Sequence, residues 1–158
     1  EELAAASKDS ETRLAGFVFG PNDISRETRI RMLPGRAAMI PMITHCIVAT
    51  RAHGLEILDG PYSDFANVDG FAAECAQARD LGFDGKTLIH PGQIGACNAI
   101  FTPPTEEVAE ARKIIAAFEQ PENASRGAIQ IDGRMVERLH AEMARRTIAI
   151  ADAIAAMG

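Results

Sequence analysis

Short apolar runs that end in glycine and proline, each followed by a longer stretch of helical periodicity, set the rhythm of this chain. Ala15-Gly16-Phe17-Val18-Phe19 stops at Gly20-Pro21-Asn22. Leu55-Glu56-Ile57-Leu58 stops at Asp59-Gly60-Pro61, and Lys86-Thr87-Leu88-Ile89 stops at His90-Pro91-Gly92. Runs of this length, bounded by turn residues, predict buried parallel strands. Between them the pattern is helical. Residues 36–53 predict a helix with Pro41 in its first turn and Gly54 at its stop. Asp69 is the expected cap of a helix to Leu81, with Phe71, Cys75, Ala78 and Leu81 on one face and Gly82 just past its end. A short helix is expected over 94–100. Another starts at Thr105 as cap, with Glu106 and Glu107 at its positive end and Val108, Ala111, Ile115 and Phe118 as its apolar stripe. Strand–loop–helix repeated at about thirty-residue spacing implies right-handed βαβ units and a parallel sheet, in a barrel or a doubly wound open sheet. In both, functional groups sit in the loops after the strands, here 20–23, 59–64 and 90–93.

Beyond residue 119 the rhythm changes. Residues 120–127 read as a polar linker, 128–133 as an extended stretch and turn, and 134–157 as one long helix. Its stripe of Met135, Leu139, Met143 and Ile150 requires a partner. Two domains follow, 1–119 and 120–158. Residues 1–7 read as the tail of a helix with no cap in front, which suggests a start inside a larger protein.

Composition narrows the class. With 158 residues, 47% hydrophobic and 24% charged, the chain has the make-up of one soluble globular domain. A net charge of −6 argues against nonspecific nucleic-acid or anionic-membrane binding. No apolar run approaches the ~20 residues needed to span a bilayer, and no signal-peptide pattern opens the chain, so the cytoplasm is the expected location. Cys46, Cys75 and Cys97 form no CxxC pair and read as small buried apolar residues of a reducing compartment.

Four residues carry candidate chemistry. Asp23 follows a strand and a Gly-Pro-Asn loop, where a carboxylate holds Mg²⁺ or simply caps a turn. Asp59 ends a strand in Asp-Gly-Pro, as a turn residue or a pocket group. His90, in Ile-His-Pro, either positions substrate or locks its loop to the backbone. Asp132 lies in an Asp-Gly turn, and nothing in its position alone makes it catalytic. Lys86 and Arg134 either meet phosphate or carboxylate groups or, as most such residues do, form solvated surface, and His45, His53 and His140 have no assigned role. P-loop, GxGxxG, GxSxG and HExxH patterns are absent from the sequence.

Several stretches together resemble one family. Gly16-Phe17-Val18-Phe19-Gly20-Pro21-Asn22-Asp23 resembles a strand ending in a metal-binding Asp. Ile57 to Phe65 is similar to an Asp-Gly-Pro loop. Gly85-Lys86-Thr87-Leu88-Ile89-His90-Pro91-Gly92-Gln93-Ile94 and Ala128 to Val136 complete the set. The family is that of the citrate lyase β-subunit and malyl-CoA lyase, within the HpcH/HpaI aldolase-like superfamily. The resemblance covers nearly the whole chain, in matching order. It implies an α/β fold: the C-terminal part of a TIM (β/α)8 barrel plus a C-terminal helical extension, from a protein about twice this length. It implies Mg²⁺ as cofactor, with Asp23 as a metal ligand, and a CoA thioester as substrate. Asp132 would be an acid or base delivered to a neighbouring subunit's site by the tail, which implies a homo-oligomer, trimer or hexamer. Asp59 and His90 are the substrate-pocket candidates. The activity implied is carbon–carbon cleavage of a citryl-, malyl- or citramalyl-CoA-type thioester. The alternatives are hydrolysis of a malyl-CoA-type thioester on the same scaffold and a non-catalytic assembly subunit. Half of a barrel on its own is expected to be inactive.

Overall fold

The computed structural model describes residues 1–157. The chain divides into two compact units, Glu1–Phe101 and Thr102–Gly158. The helix expected to close the barrel-like part therefore groups with the tail.

The first unit begins with α1 (Glu2–Ala5) and holds a three-stranded sheet of β1 (Gly16–Val18), β2 (Glu56–Asp59) and β3 (Gly85–Lys86) in sequence order. Both pairings are parallel: Phe17 lies opposite Ile57 and Asp59 opposite Lys86. The connections are α2 (Pro21–Thr28), α3 (Ile40–Arg51) and α4 (Val68–Leu81), with α5 (Ile94–Phe101) after β3. The expected strand order and direction hold, and so does Pro41 in the first turn of α3. Local details differ. β3 ends at Lys86, three residues short of the expected run, because Leu88 and Ile89 turn into the His-Pro-Gly loop. The cap of α4 is Asn67, whose side chain accepts from the Gly70 N–H at 2.9 Å, so the helix starts just ahead of Asp69. Gly82 ends it at φ 102°, in the left-handed conformation.

The core of this unit forms where β1 and β2 meet their helices. Phe19, Met39, Ile43, Ile47, Ile57, Ala78 and Phe83 are buried together, and the Phe19 and Phe83 rings meet edge-on at 6.1 Å. Phe71, Cys75 and Cys97 form a second cluster between α4 and α5. Below the sheet, Arg51 binds the Leu55 carbonyl at 2.9 Å, the Gly82 carbonyl at 2.8 Å and Asp84 at 2.6 Å. Burial works to raise the Asp84 pKa. The Arg51 hydrogen bonds and the Ile57 N–H outweigh it and hold the carboxyl below its ordinary value.

The loops after β1 and β2 are in direct contact. A Cβ on Gly60 would lie 2.5 Å from the Phe19 carbonyl oxygen and 2.1 Å from Pro21 Cδ. Backbone and a proline ring cannot yield there, so Gly60→Ala is expected to cost about 3 kcal/mol or more in urea denaturation. A loss under about 0.5 kcal/mol would show that the two loops are not held together.

The second unit pairs α6 (Thr105–Glu119) with α7 (Arg138–Met157) and adds a hairpin of β4 (Ala128–Ile131) and β5 (Arg134–Glu137). Pro104, not Thr105, is the residue that precedes α6, and no side chain caps it. The long helix expected from 134 is shorter by a strand. Asp132 and Gly133 both take positive φ, 49° and 80°, as a two-residue hairpin turn requires, and the turn returns Arg134–Glu137 against β4. Phe118, Ile129, Ile131, Val136 and Ala141 make the core, and the Arg138 guanidinium lies 5.6 Å from the Phe118 ring centroid. α7 buries Ala141 and Ala144, whose small side chains permit close approach of α6. Of the expected helical stripe, Met135 lies on β5 instead, and Leu139, Met143 and Ile150 lie on the opposite face of α7; all four are exposed within this chain.

Candidate functional site

The parallel sheet places three of the four candidates at one end of the first unit. Asp23, Asp59 and His90 all follow the C-terminal ends of their strands. Their environments differ sharply.

Asp23 lies in the first turn of α2, where the helix dipole favours a carboxylate. Its side chain is 79% exposed, and Arg26 Nη2 stands 3.8 Å away. No cluster of three or more His, Cys, Asp or Glu able to hold a metal occurs among the described residues. Mg²⁺ keeps several waters and takes one or two carboxylates. The chain's own residues therefore fit part of such a shell: a hard oxygen donor, open to solvent, with only a long ion pair competing for it.

Asp59 is fully buried, and its carboxylate is saturated. Oδ1 accepts from Arg36 Nη1 at 2.8 Å and from the Gly60 N–H at 2.9 Å; Oδ2 accepts from Arg36 Nη1 at 2.9 Å and Lys86 Nζ at 2.8 Å. Lys86 also binds Glu74 at 2.7 Å, and Arg36 Nε binds Gln77 at 2.9 Å. Asp59 has no free oxygen to offer a substrate, so its geometry is that of an organiser of the strand end. Lys86, read as solvated surface, is buried instead. The sequence did hold a signal for this, since a lysine inside a buried strand must be paired. Arg36 carried none. It reaches Asp59 from a loop in which Gly35 and Arg36 both take positive φ, 75° and 51°.

His90 accepts the Gly92 N–H on Nδ1 at 3.1 Å and stacks on Phe65, ring centroids 5.0 Å apart at 11°. With Nδ1 as the acceptor, the N–H of the ring is on Nε2. The loop is further tied by buried Gln93, which accepts from the Ile89 N–H and donates to the Tyr62 carbonyl. His90 thus locks its loop and also presents an exposed N–H donor.

Asp132 lies in the second unit. Its side chain is 66% exposed and paired with Lys113 of α6. An apolar cavity of about 200 Å³, lined by Leu3, Ala4, Phe17, Val18, Cys46 and Ile57 among others, includes none of the four candidates.

Residues 1–91 match the HpcH/HpaI aldolase/citrate lyase family model. The chain belongs to that family. It is 47% identical over 156 residues to a (3S)-malyl-CoA thioesterase of Cereibacter sphaeroides, covering 99% of this chain and 55% of that protein. It is 32% identical to the citrate lyase β subunit of Escherichia coli, covering 96% of this chain and 49% of that one. The chain thus spans about half the length of these relatives. A citrate lyase-type protein of Mycobacterium tuberculosis, solved with magnesium, acetoacetate and coenzyme A, superposes with a TM-score of 0.63 at 29% identity, over 77% of this chain and 45% of that one. The fold is the partial α/β barrel of this family.

Cysteine has no visible part in the site. Burial pushes the Cys75 thiol up to about 12, and burial also raises Cys46 and Cys97. The thiolate is the reactive form. At pH 8, iodoacetamide should therefore leave Cys75 unmodified in the native protein and alkylate it only on unfolding, as peptide mass spectrometry would show. No helix among the described residues is long and apolar enough to cross a membrane.

Proposed function

We propose that the full-length protein hydrolyses a malyl-CoA-type thioester. The observation that carries this reading is the 47% identity to a (3S)-malyl-CoA thioesterase over nearly the whole chain, against 32% to a citrate lyase β subunit. Asp23 would hold Mg²⁺, together with a carboxylate that the chain itself does not contribute. The ion, when bound, supplies Lewis acidity and neutralises charge on the substrate oxygens. Asp132 is the base. Its carboxylate takes a proton from water as the water oxygen bonds to the thioester carbonyl carbon. The C–S bond then breaks, and the proton returns to the departing CoA sulfur, giving the free acid and CoA.

Asp132 would reach the site of a neighbouring subunit in a homo-oligomer. The exposed stripe of Leu139, Met143 and Ile150 supports an assembly in which α7 meets another surface. The second reading is carbon–carbon cleavage, favoured by the likeness to the citrate lyase β subunit. There the same carboxylate takes the proton of the substrate hydroxyl, and the thioester fragment leaves as an enolate that is protonated at carbon.

The products separate the two readings. The full-length protein, given (3S)-malyl-CoA with Mg²⁺, should release free thiol and malate in equal amounts, and chelation should stop it. Glyoxylate and acetyl-CoA without free thiol would establish cleavage instead. Inertness toward a panel of CoA thioesters would leave an assembly role.

A further inference from the structure

Among the described residues, the ion pair that touches the proposed base comes from a residue with no assigned role. Lys113 lies on α6, and its ammonium binds Asp132 Oδ2. Asp132 is fixed at the tip of the β4–β5 turn by its left-handed backbone. Among the described residues, Oδ1 accepts no hydrogen bond from the protein. One carboxylate oxygen is therefore anchored and the other is free.

Resting on the reading of Asp132 as the base, we propose that Lys113 is a positioning residue: it clamps Oδ2 and aims Oδ1 at the proton to be removed. Both partners belong to the same compact unit, so the pair reaches any neighbouring site already formed. The Lys113 ammonium is itself stabilised in return. The Asp132 hydrogen bond raises its pKa against a smaller desolvation effect, and Glu110, one turn back on α6, adds to the rise. Arg134, two residues on in the hairpin, is the other charge beside Asp132 in the sequence. In free solution an exposed pair of this kind is weak and screened by salt. Once covered by substrate and a second subunit, the same pair attracts in a medium of lower dielectric, where the clamp is stronger.

The experiment compares full-length wild type with Lys113→Met, Lys113→Arg and Asp132→Asn. The readouts are kcat and KM for thioester hydrolysis and the melting temperature. Lys113→Met should lower kcat by about 10–10²-fold, the cost of a misplaced reacting group. KM should change little, the melting temperature should hold, and Lys113→Arg should restore most of kcat. Unchanged kcat in Lys113→Met, with Asp132→Asn inactive, would overturn the positioning role while leaving the base in place. Wild-type turnover by Asp132→Asn would overturn the base, and the positioning role with it.

Discussion

Asp59→Ala should destabilise the protein by about 3–5 kcal/mol, a large share of the ~5–15 kcal/mol that holds a typical domain together. The reason is the buried charge left behind. Asp59, Arg36 and Lys86 have side chains 0%, 2% and 0% exposed. The cluster of Arg36, Lys86, Asp59 and Glu74 is balanced as it stands. Without Asp59, two cations face Glu74 alone, which Lys86 reaches at 2.7 Å and Arg36 Nε only at 3.6 Å. Lys86→Met should cost a similar amount by leaving two carboxylates for Arg36. The double variant Asp59→Ala/Lys86→Met removes one charge of each sign and keeps Arg36 with Glu74. It should be less destabilised than the sum of the singles by about 2 kcal/mol, read as coupling in a double-mutant cycle of urea midpoints. Singles costing under about 1 kcal/mol would mean that the network is solvated, contrary to its burial.

That network also marks the limit of what the sequence disclosed. The rhythm of apolar runs and turn residues located all three parallel strands, because a short apolar run closed by glycine and proline leaves room for little else. Gly60-Pro61 located the end of β2, whereas Pro91-Gly92 overshot the end of β3, which stops at Lys86. The charge cluster was invisible because its members are far apart along the chain: Arg36 and Asp59 are separated by 23 residues, Asp59 and Lys86 by 27. Only the fold brings them together. Asp59 stood out at a strand end, yet whether such an Asp faces a pocket or is saturated by buried cations depends on side chains from two other elements.

The tail shows a different failure. Asp132-Gly133 is a strong hairpin signal, but Arg134-Met135-Val136-Glu137 leads into Arg138-Leu139 without a break, and a helical period extends through it. The strand wins because Ile129 and Val136 pair across the turn and bury against Phe118. On α7 the alanines pack against α6, and Leu139, Met143 and Ile150, expected to need a partner, stay exposed within this chain. Small residues contribute little to a hydrophobic stripe and much to close helix contact.

The largest functional effects belong to Asp23 and Asp132. Asp23→Ala in the full-length protein should remove Mg²⁺-dependent turnover and leave the fold intact, since its side chain is exposed and its nearest charged partner, Arg26, is a surface group. Asp132→Asn should retain substrate and metal binding while turnover falls by about 10²–10⁴-fold, the usual contribution of a general base. Asn keeps the shape of Asp and cannot exchange the proton. The two variants also test where the base acts. If each site takes Asp23 from one subunit and Asp132 from its neighbour, refolded equal mixtures combine an intact metal ligand with an intact base at about a quarter of all sites. Turnover of the mixture should then rise to about a quarter of wild type, from two nearly inactive parents. If both residues serve one subunit's own site, every site in the hybrid carries one defect and the mixture stays inactive. Recovery depends on subunit exchange, so mass spectrometry of the intact hybrids must accompany the assay. Verified hybrids without recovery would place both groups in a single subunit or reduce Asp132 to the turn residue that its left-handed backbone already makes it. Near-normal turnover by Asp132→Asn alone would decide for the turn.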